Sequence, residues 1–138
     1  MQVRELMTRD VRLLGPNDTI RNAARQMRDD DIGSLPIADG DRLVGYITDR
    51  DIVVRALAEG RDADTTVREV MTERVLYCFE DETIEDVAAN MAHNQVRRLP
   101  VLTREKRLVG IVALGDIATQ GSDEPAEDAL EGVSRPSR

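Results

Sequence analysis

The sequence contains very few aromatic residues, cysteines or histidines. Of its 138 residues two are tyrosine and one is phenylalanine, and tryptophan is absent. The hydrophobic core must therefore be aliphatic, and the hydrophobic content of 41% is sufficient to build one. A single cysteine excludes an internal disulfide. One cysteine and one histidine also argue against a dedicated zinc site.

Two further absences narrow the class of function. Nineteen basic residues stand against 27 acidic ones, so the net charge is −8 and the cationic surplus used in nonspecific nucleic-acid binding is missing. No apolar run approaches the roughly 20 residues of a membrane span, and the charged N-terminus is not a signal peptide. We therefore expect a cytoplasmic protein that binds neither nucleic acid nor membranes.

The sequence is an internal tandem repeat. A shift of 64 residues superposes the hexapeptides Val3-Arg4-Glu5-Leu6-Met7-Thr8 and Val67-Arg68-Glu69-Val70-Met71-Thr72. One extra residue near Lys106 changes the shift to 65, which aligns Asp51-Ile52 with Asp116-Ile117. This density of matches indicates a duplication. The predicted organisation is repeat 1–59, linker 60–66, repeat 67–120 and an acidic tail 121–138 whose composition predicts disorder.

Each repeat shows the same order of predicted elements. Thr19 and Thr83 are typical N-caps, and each precedes apolar residues at the i, i+3, i+4, i+7 spacing of a buried helix face. The pattern predicts an α/β fold of the α+β kind. The expected strands are 11–13, 34–38, 43–48, 75–79, 98–102 and 108–113, and the expected second helices are 49–58 and about 115–120.

Three short motifs in each repeat together resemble a CBS motif, and the pair resembles a CBS-domain pair (Bateman module). They are the opening hexapeptide, Ile32-Gly33-Ser34-Leu35-Pro36-Ile37 and Gly45-Tyr46-Ile47-Thr48-Asp49-Arg50-Asp51, with counterparts at 96–101 and 110–116. The resemblance implies tandem β-α-β-β-α units packed about a pseudo-twofold axis. It also implies two clefts that bind adenosine-containing ligands: AMP, ADP, ATP, S-adenosylmethionine or, in some members, NAD.

The Gly-x-x-Thr-x-x-Asp pattern places Gly45, Thr48 and Asp51 where a strand ends and a helix begins. A helix N-terminus with a threonine hydroxyl suits phosphate, and Asp51 can accept hydrogen bonds from two ribose hydroxyls. In the family that this sequence resembles, these positions hold phosphate and ribose. We predict a nucleotide site of Gly45, Thr48 and Asp51 with Ile32 and Pro36. The alternative is that Thr48 is an N-cap and Asp51 only complements the helix dipole.

The second repeat departs from this pattern. Asp116 is retained, but Ala113 replaces the threonine, so one contact to phosphate is lost. Arg98 is a second candidate, because the resemblance implies that a basic residue here reaches ligand phosphates. Alternatively, Arg98 is a solvated charge that protects a strand edge. Because the threonine hydroxyl is lost, the cleft at Asp116 is expected to bind weakly, to prefer another ligand or to stay empty.

These observations favour a stand-alone regulatory module rather than an enzyme. The resemblance implies that the module binds an adenine nucleotide or S-adenosylmethionine as a regulatory ligand, with no obligatory cofactor. Binding is expected to change the conformation, which a protein partner, unknown from the sequence, then recognises. The resemblance also implies a homodimer. The alternative is a structural or protein-interaction module that binds no ligand.

Overall fold

The computed structural model describes residues 1–120, so the predicted tail 121–138 lies outside the described residues. The mixed α/β class is confirmed, with helices packed on two small sheets. The chain forms two compact units. The central unit is Arg12–Val75, and the terminal unit combines Met1–Val11 with the chain from Leu76 onward.

The central unit follows the predicted order of elements. Thr19 caps helix α1 (Ile20–Asp30) by accepting a hydrogen bond from the Asn22 N–H at 3.1 Å. Strands β1 (Ser34–Asp39) and β2 (Arg42–Thr48) pair in antiparallel fashion. The predicted helix 49–58 begins as the short helix α2 (Asp49–Asp51) and continues as a π-helical segment (Ile52–Leu57).

Up to residue 120, the terminal unit holds a three-stranded sheet, two α-helices and a short 3-10 helix (Val3–Glu5). Its strands β3, β4 and β5 are neighbours in that order, with β3 parallel to β4 and β4 antiparallel to β5. The elements are β3 (Cys78–Phe79), α3 (Ile84–Asn94), β4 (Arg98–Leu102), β5 (Leu108–Ala113) and α4 (Leu114–Gln120).

The strands expected ahead of the first helices are shorter than predicted. At 11–13 no strand forms. Instead Leu14 makes a single parallel bridge to Ile37. The turn that follows, in which the Gly15 N–H donates to the Asp18 carboxylate at 2.8 Å, prevents the pairing from extending beyond Leu14. The strand expected at 75–79 is reduced to Cys78–Phe79.

Each unit contains the opening hexapeptide of the other repeat: residues 3–8 pack in the terminal unit and residues 67–72 in the central unit. Thr8 and Ile111 exchange two backbone hydrogen bonds of 2.8 and 2.9 Å, and Thr72 and Tyr46 exchange two of the same lengths. The cores of the units therefore do not follow the repeat boundaries. The apolar side chains that the hexapeptides bury are Val3, Leu6, Met7, Val67, Val70 and Met71. Each such burial stabilises the fold by roughly 1.5–3 kcal/mol.

The residues between the repeats, 60–66, bond to the start of α1. The Ile20 N–H donates to the Thr65 carbonyl at 2.9 Å, and the Arg21 guanidinium donates to the Asp64 carboxylate at 2.9 Å. Segment 60–66 is therefore hydrogen-bonded to the central unit, and hexapeptide 67–72 follows it directly in the chain.

Both antiparallel strand pairs contain a β-bulge at the same place. In the central unit Val44 is the extra residue, just before Gly45, and in the terminal unit Val109 precedes Gly110 in the same way. A bulge bends its strand and strengthens the local twist. The two repeats thus share the same β-bulge, next to the strand residues that pair with the docked hexapeptides.

Candidate functional site

Thr48 and Asp51 form a reciprocal capping box at the start of α2. The Asp51 N–H donates to the Thr48 hydroxyl oxygen at 3.0 Å, and the Thr48 N–H donates to Asp51 Oδ2 at 3.0 Å. The Asp51 side chain is 14% exposed. Within the described chain its second oxygen, Oδ1, accepts no hydrogen bond and lies 4.0 Å from Arg55 Nη1. The N-cap role is therefore present, and one carboxylate oxygen stays open.

The first N–H groups of α2 are already hydrogen-bonded within the central unit. The Asp49 N–H donates to the Gly33 carbonyl at 2.9 Å, and the Arg50 N–H donates to the Asp49 carboxylate at 2.8 Å. With the Asp51 N–H held by Thr48, the first turn is satisfied internally. The Asp49 carboxylate also adds a negative charge to the first turn of α2. Contact between Thr48 and a ligand phosphate stays a prediction.

Arg55 links this site to hexapeptide 67–72. Its Nη1 donates to the Met71 carbonyl at 3.0 Å and lies within ion-pair distance of Asp51. The Arg55 side chain is 49% exposed and lines an open groove of about 560 Å³. Arg55 was not predicted from the sequence, because its partner Met71 is 16 residues away and docks only in the folded unit. The i, i+4 spacing of Asp51 and Arg55, which suits an ion pair on a helix, is the one local signal that could have pointed to Arg55.

Gly45 is buried, and the space in front of it is filled. A Cβ at Gly45 would lie 3.1 Å from Met71 Cγ and 3.2 Å from Cε, with the sulfur closer still. The glycine thus makes room for the docked hexapeptide. Packing alone accounts for it, and its contact with a ligand stays a prediction.

Pro36 and Ile32 lie inside the fold of the central unit. Pro36 is buried and pairs with Tyr46, whose backbone N–H and C=O both bond to Thr72 instead. A residue without an N–H is tolerated there because this pair needs no hydrogen bond between β1 and β2. Ile32 is half-buried and packs against the core. Their contact with a ligand also stays a prediction.

Tyr46 is a site neighbour that the sequence reasoning missed. Tyr46 and Thr48 lie on the same face of β2, since side chains alternate along a strand. The Tyr46 hydroxyl is 3.3 Å from the Ser34 hydroxyl, and Ser34 is the register partner of Thr48. The two-residue spacing of Tyr46 and Thr48 in a predicted strand was the sequence signal that could have identified Tyr46. The polar groups of Ser34, Tyr46, Thr48 and Asp51 are thus gathered where β2 meets α2.

Asp116 and Arg98 belong to the terminal unit. The Ala113 N–H donates to Asp116 Oδ2 at 3.0 Å, which repeats one half of the capping box, and Ala113 has no hydroxyl to supply the other half. Arg98 is the register partner of Ala113 in the β4–β5 pair. Its Nη1 is buried and has no hydrogen-bond partner within the described chain. A buried guanidinium nitrogen normally has an acceptor, so this position suits an anion or water.

Within residues 1–120 no three His, Cys, Asp or Glu side chains form a group that could hold a metal ion. Cys78 is buried, and this burial together with the charge of Glu82 raises the pKa of its thiol to about 12. His93 is exposed on α3. None of the helices in this part of the chain is long and apolar enough to cross a membrane.

Comparison with known proteins identifies the family. The CBS domain model matches residues 3–57 and 67–123. The CBS domain-containing protein YhcV of Bacillus subtilis is 42% identical over 133 residues, which cover 96% of this chain and 94% of YhcV. Hypoxic response protein 1 of Mycobacterium tuberculosis is 44% identical over 135 residues, which cover 96% of this chain and 94% of that protein.

Two crystal structures share the fold. Hypoxic Response Protein I with two coordinated zinc ions has a TM-score of 0.78 and 42% identity, covering 87% of this chain and 98% of that chain. The CBS domain pair of protein MJ0100 in complex with 5′-methylthioadenosine and S-adenosyl-L-methionine has a TM-score of 0.72 and 33% identity, covering 86% of this chain and 94% of that chain. On this evidence the chain belongs to the CBS domain family and carries two CBS domains in tandem.

Proposed function

We propose that this chain is a regulatory CBS pair that binds an adenosine-containing ligand and signals to a protein partner by a change of conformation. One observation carries the proposal. Asp51 is fixed through Oδ2 by the Thr48 N–H, and its Oδ1 is open. A carboxylate that is held by one oxygen and open at the other is preorganised to accept charge-assisted hydrogen bonds from ribose hydroxyls.

The surroundings of Asp51 favour a ligand without phosphate in the central unit. The first helical N–H groups are already bonded, and the Asp49 carboxylate repels an anion. S-adenosylmethionine, whose sulfonium is cationic, and 5′-methylthioadenosine, which is uncharged, avoid this cost. The Thr48 hydroxyl still has its proton to donate to a polar group of the ligand, since its oxygen only accepts from Asp51.

A relative supports the same ligand class. The MJ0100 CBS pair, at 33% identity, has been crystallised with 5′-methylthioadenosine and S-adenosyl-L-methionine. The proposal places a ligand of that class at Asp51.

The terminal unit is proposed to form a second site with a different preference. Arg98 Nη1 is buried without an acceptor, and Asp116 is held by the Ala113 N–H. A cation in need of an acceptor favours a phosphate-bearing ligand such as AMP, ADP or ATP. The two sites are therefore proposed to be unequal.

A second copy of the chain is the proposed partner for one apolar face. Val53, Val54 and Leu57 lie on the π-helical segment and are 55%, 43% and 71% exposed, whereas Ala56 on the opposite side is buried. Neighbouring exposed aliphatic side chains of this kind are typical of an interface. The resemblance to CBS pairs, which often dimerise, supports a homodimer.

The second candidate function is an interaction module that binds no ligand. The closed capping box of Thr48 and Asp51 and the exposed face of Val53, Val54 and Leu57 are the observations in its favour. In this function the box only stabilises the helix, and the apolar face binds a partner.

Thermal unfolding with a ligand series tests the proposal. We expect S-adenosylmethionine and 5′-methylthioadenosine to raise the melting temperature by several degrees, since ligand at 100 times its Kd adds about 2.7 kcal/mol to stability. AMP, ADP, ATP and NAD complete the series. Asp51→Asn should reduce the shift with S-adenosylmethionine to about half or less at the same ligand concentration. The absence of any shift across the series would overturn the proposal in favour of the interaction module.

A further inference from the structure

Arg55 has two acceptors within reach and is bonded to one of them. Its Nη1 donates to the Met71 carbonyl at 3.0 Å, while Asp51 Oδ1 lies 4.0 Å from the same nitrogen, too far for a hydrogen bond. The Met71 carbonyl therefore holds the guanidinium away from the carboxylate. As a result Oδ1 stays open, although a cation close by compensates its charge.

If the Met71 carbonyl moved away, Arg55 would close on Asp51. Arginine and carboxylate groups form short, charge-assisted hydrogen bonds. The Arg55 side chain is 49% exposed and borders a groove of about 560 Å³, so it has room to turn. In that arrangement the guanidinium would occupy Oδ1, the oxygen that the ligand needs.

The position of the Met71 carbonyl depends on whether hexapeptide 67–72 is docked. Two backbone hydrogen bonds join Thr72 to Tyr46, at 2.8 and 2.9 Å. The Met71 side chain fills the space in front of Gly45. Gly45, Tyr46 and Asp51 are thus connected to one another through the hexapeptide and Arg55.

We infer that Arg55 is a positioning residue that couples ligand binding at Asp51 to docking of hexapeptide 67–72 in the central unit. The inference rests on the proposed function. When the hexapeptide is docked, Arg55 is held back and Oδ1 is open to a ribose hydroxyl. When it is undocked, Arg55 covers Oδ1. Because coupling is reciprocal, a ligand on Asp51 also stabilises the docked hexapeptide.

The terminal unit provides an internal reference. Hexapeptide 3–8 docks there through the equivalent pair Thr8 and Ile111, with hydrogen bonds of 2.8 and 2.9 Å. In the repeat alignment Gln120 takes the place of Arg55. The guanidinium that closes on the carboxylate is therefore specific to the central unit.

Amide hydrogen exchange of the full chain, with and without S-adenosylmethionine, tests the coupling. In the wild type we expect the ligand to slow exchange of the Tyr46 and Thr72 amides by about tenfold more than that of Thr8 and Ile111, a coupling of about 1.4 kcal/mol. In Arg55→Met this extra protection should disappear, and without ligand Tyr46 and Thr72 should exchange faster than in the wild type. Arg61→Met is the matched control, because Arg61 pairs with Glu69 of the same hexapeptide at 3.1 Å.

A double-mutant cycle adds a readout of affinity. Met71→Ala should weaken S-adenosylmethionine binding several-fold in the wild type but not in the Arg55→Met background, since no guanidinium is then left to cover Oδ1. Met7→Ala should leave the affinity unchanged.

The outcomes separate the inference from the proposed function. Equal extra protection of Tyr46 and Thr72 in wild type and Arg55→Met, or its loss in Arg61→Met as well, would overturn the coupling and leave the binding site intact. If S-adenosylmethionine does not bind the wild type, the proposed function fails for this ligand and the coupling fails with it. Unchanged ligand-free exchange in Arg55→Met would further show that the Met71 contact is dispensable. Should Met71→Ala not fold, the exchange comparison still decides, since Arg55 is a half-exposed side chain.

Discussion

Thr48 and Asp51 each donate a backbone N–H to the side-chain oxygen of the other, both at 3.0 Å, across the first turn of α2. The same two residues therefore cap the helix and form the proposed ribose site. Within the described residues the second carboxylate oxygen, Asp51 Oδ1, accepts no hydrogen bond. Stability and binding at this site are thus separable, because each depends on different atoms of the pair.

Thr48→Ala should lower stability more than it lowers ligand affinity. The substitution removes the acceptor of the Asp51 N–H, and loss of such a cap costs about 1 kcal/mol. Asp51 remains held through the Thr48 backbone N–H, as Asp116 is held by Ala113 in the terminal unit. Denaturant unfolding and calorimetric titration with S-adenosylmethionine measure the two effects. Thr48→Ser, which keeps the hydroxyl, is the control, and a large loss of affinity at unchanged stability would contradict the account.

Gly110→Ala should destabilise the protein more than Gly45→Ala does. A Cβ at Gly110 would lie 2.9 Å from the Thr8 backbone carbonyl oxygen, which is fixed by its pairing, as well as 2.7 Å from the Met7 sulfur. At Gly45 the contacts are all with the flexible Met71 side chain. Unfolding experiments on the single and double variants check this. Met71→Ala should partly rescue Gly45→Ala, whereas a full rescue of Gly110→Ala by Met7→Ala would show that the carbonyl contact is not the cause.

Cys78 should be unreactive in the folded protein and should make stability fall at high pH. Burial raises the pKa of its thiol to about 12, against about 8.5 in an unfolded chain. Since the folded-state pKa is the higher one, this contribution is fully present below about pH 8.5 and is lost as the pH rises towards 12. Thiol-reagent kinetics and unfolding from pH 8 to 11 measure both effects, with Cys78→Ala as reference. Rapid labelling of the native protein would contradict the assigned burial.

Leu57→Glu should dissociate the proposed homodimer. Leu57 is 71% exposed beside Val53 and Val54, and a carboxylate placed in an apolar interface is costly to desolvate. Light scattering at micromolar concentration reports the mass. Leu76→Glu is the matched control, because Leu76 is also exposed, at 45%, but belongs to the terminal unit. A wild type with the mass of one chain, 15.4 kDa, would contradict the dimer.

Most of the fold is predictable because its signals are local. The strands expected at 98–102 and 108–113 are found as β4 and β5, since each is a short apolar run next to a turn. The caps at Thr19 and Thr83 are also found, because a threonine ahead of a buried helix face depends only on its near neighbours.

The exchange of the hexapeptides could not be predicted, for a physical reason. Segments 3–8 and 67–72 differ only at Leu6 and Val70, so local sequence does not distinguish the two sheet edges that they occupy. The same limit applies to the site. The Gly-x-x-Thr-x-x-Asp pattern singled out Asp51, but the contact of Arg55 with Met71 exists only after docking. The hydrogen bond from the Asp49 N–H to the Gly33 carbonyl likewise forms only when β1 and β2 pair.

Calorimetric titration of S-adenosylmethionine into wild type, Asp51→Asn and Asp116→Asn tests the central claim most directly. Asparagine keeps the size of the side chain and removes the charge that strengthens hydrogen bonds to ribose hydroxyls. We predict that Asp51→Asn weakens binding by at least about tenfold, equivalent to about 1.4 kcal/mol, whereas Asp116→Asn changes it by less than about twofold. Unchanged affinity in Asp51→Asn, or equal losses in the two variants, would contradict the assignment of the site to Asp51.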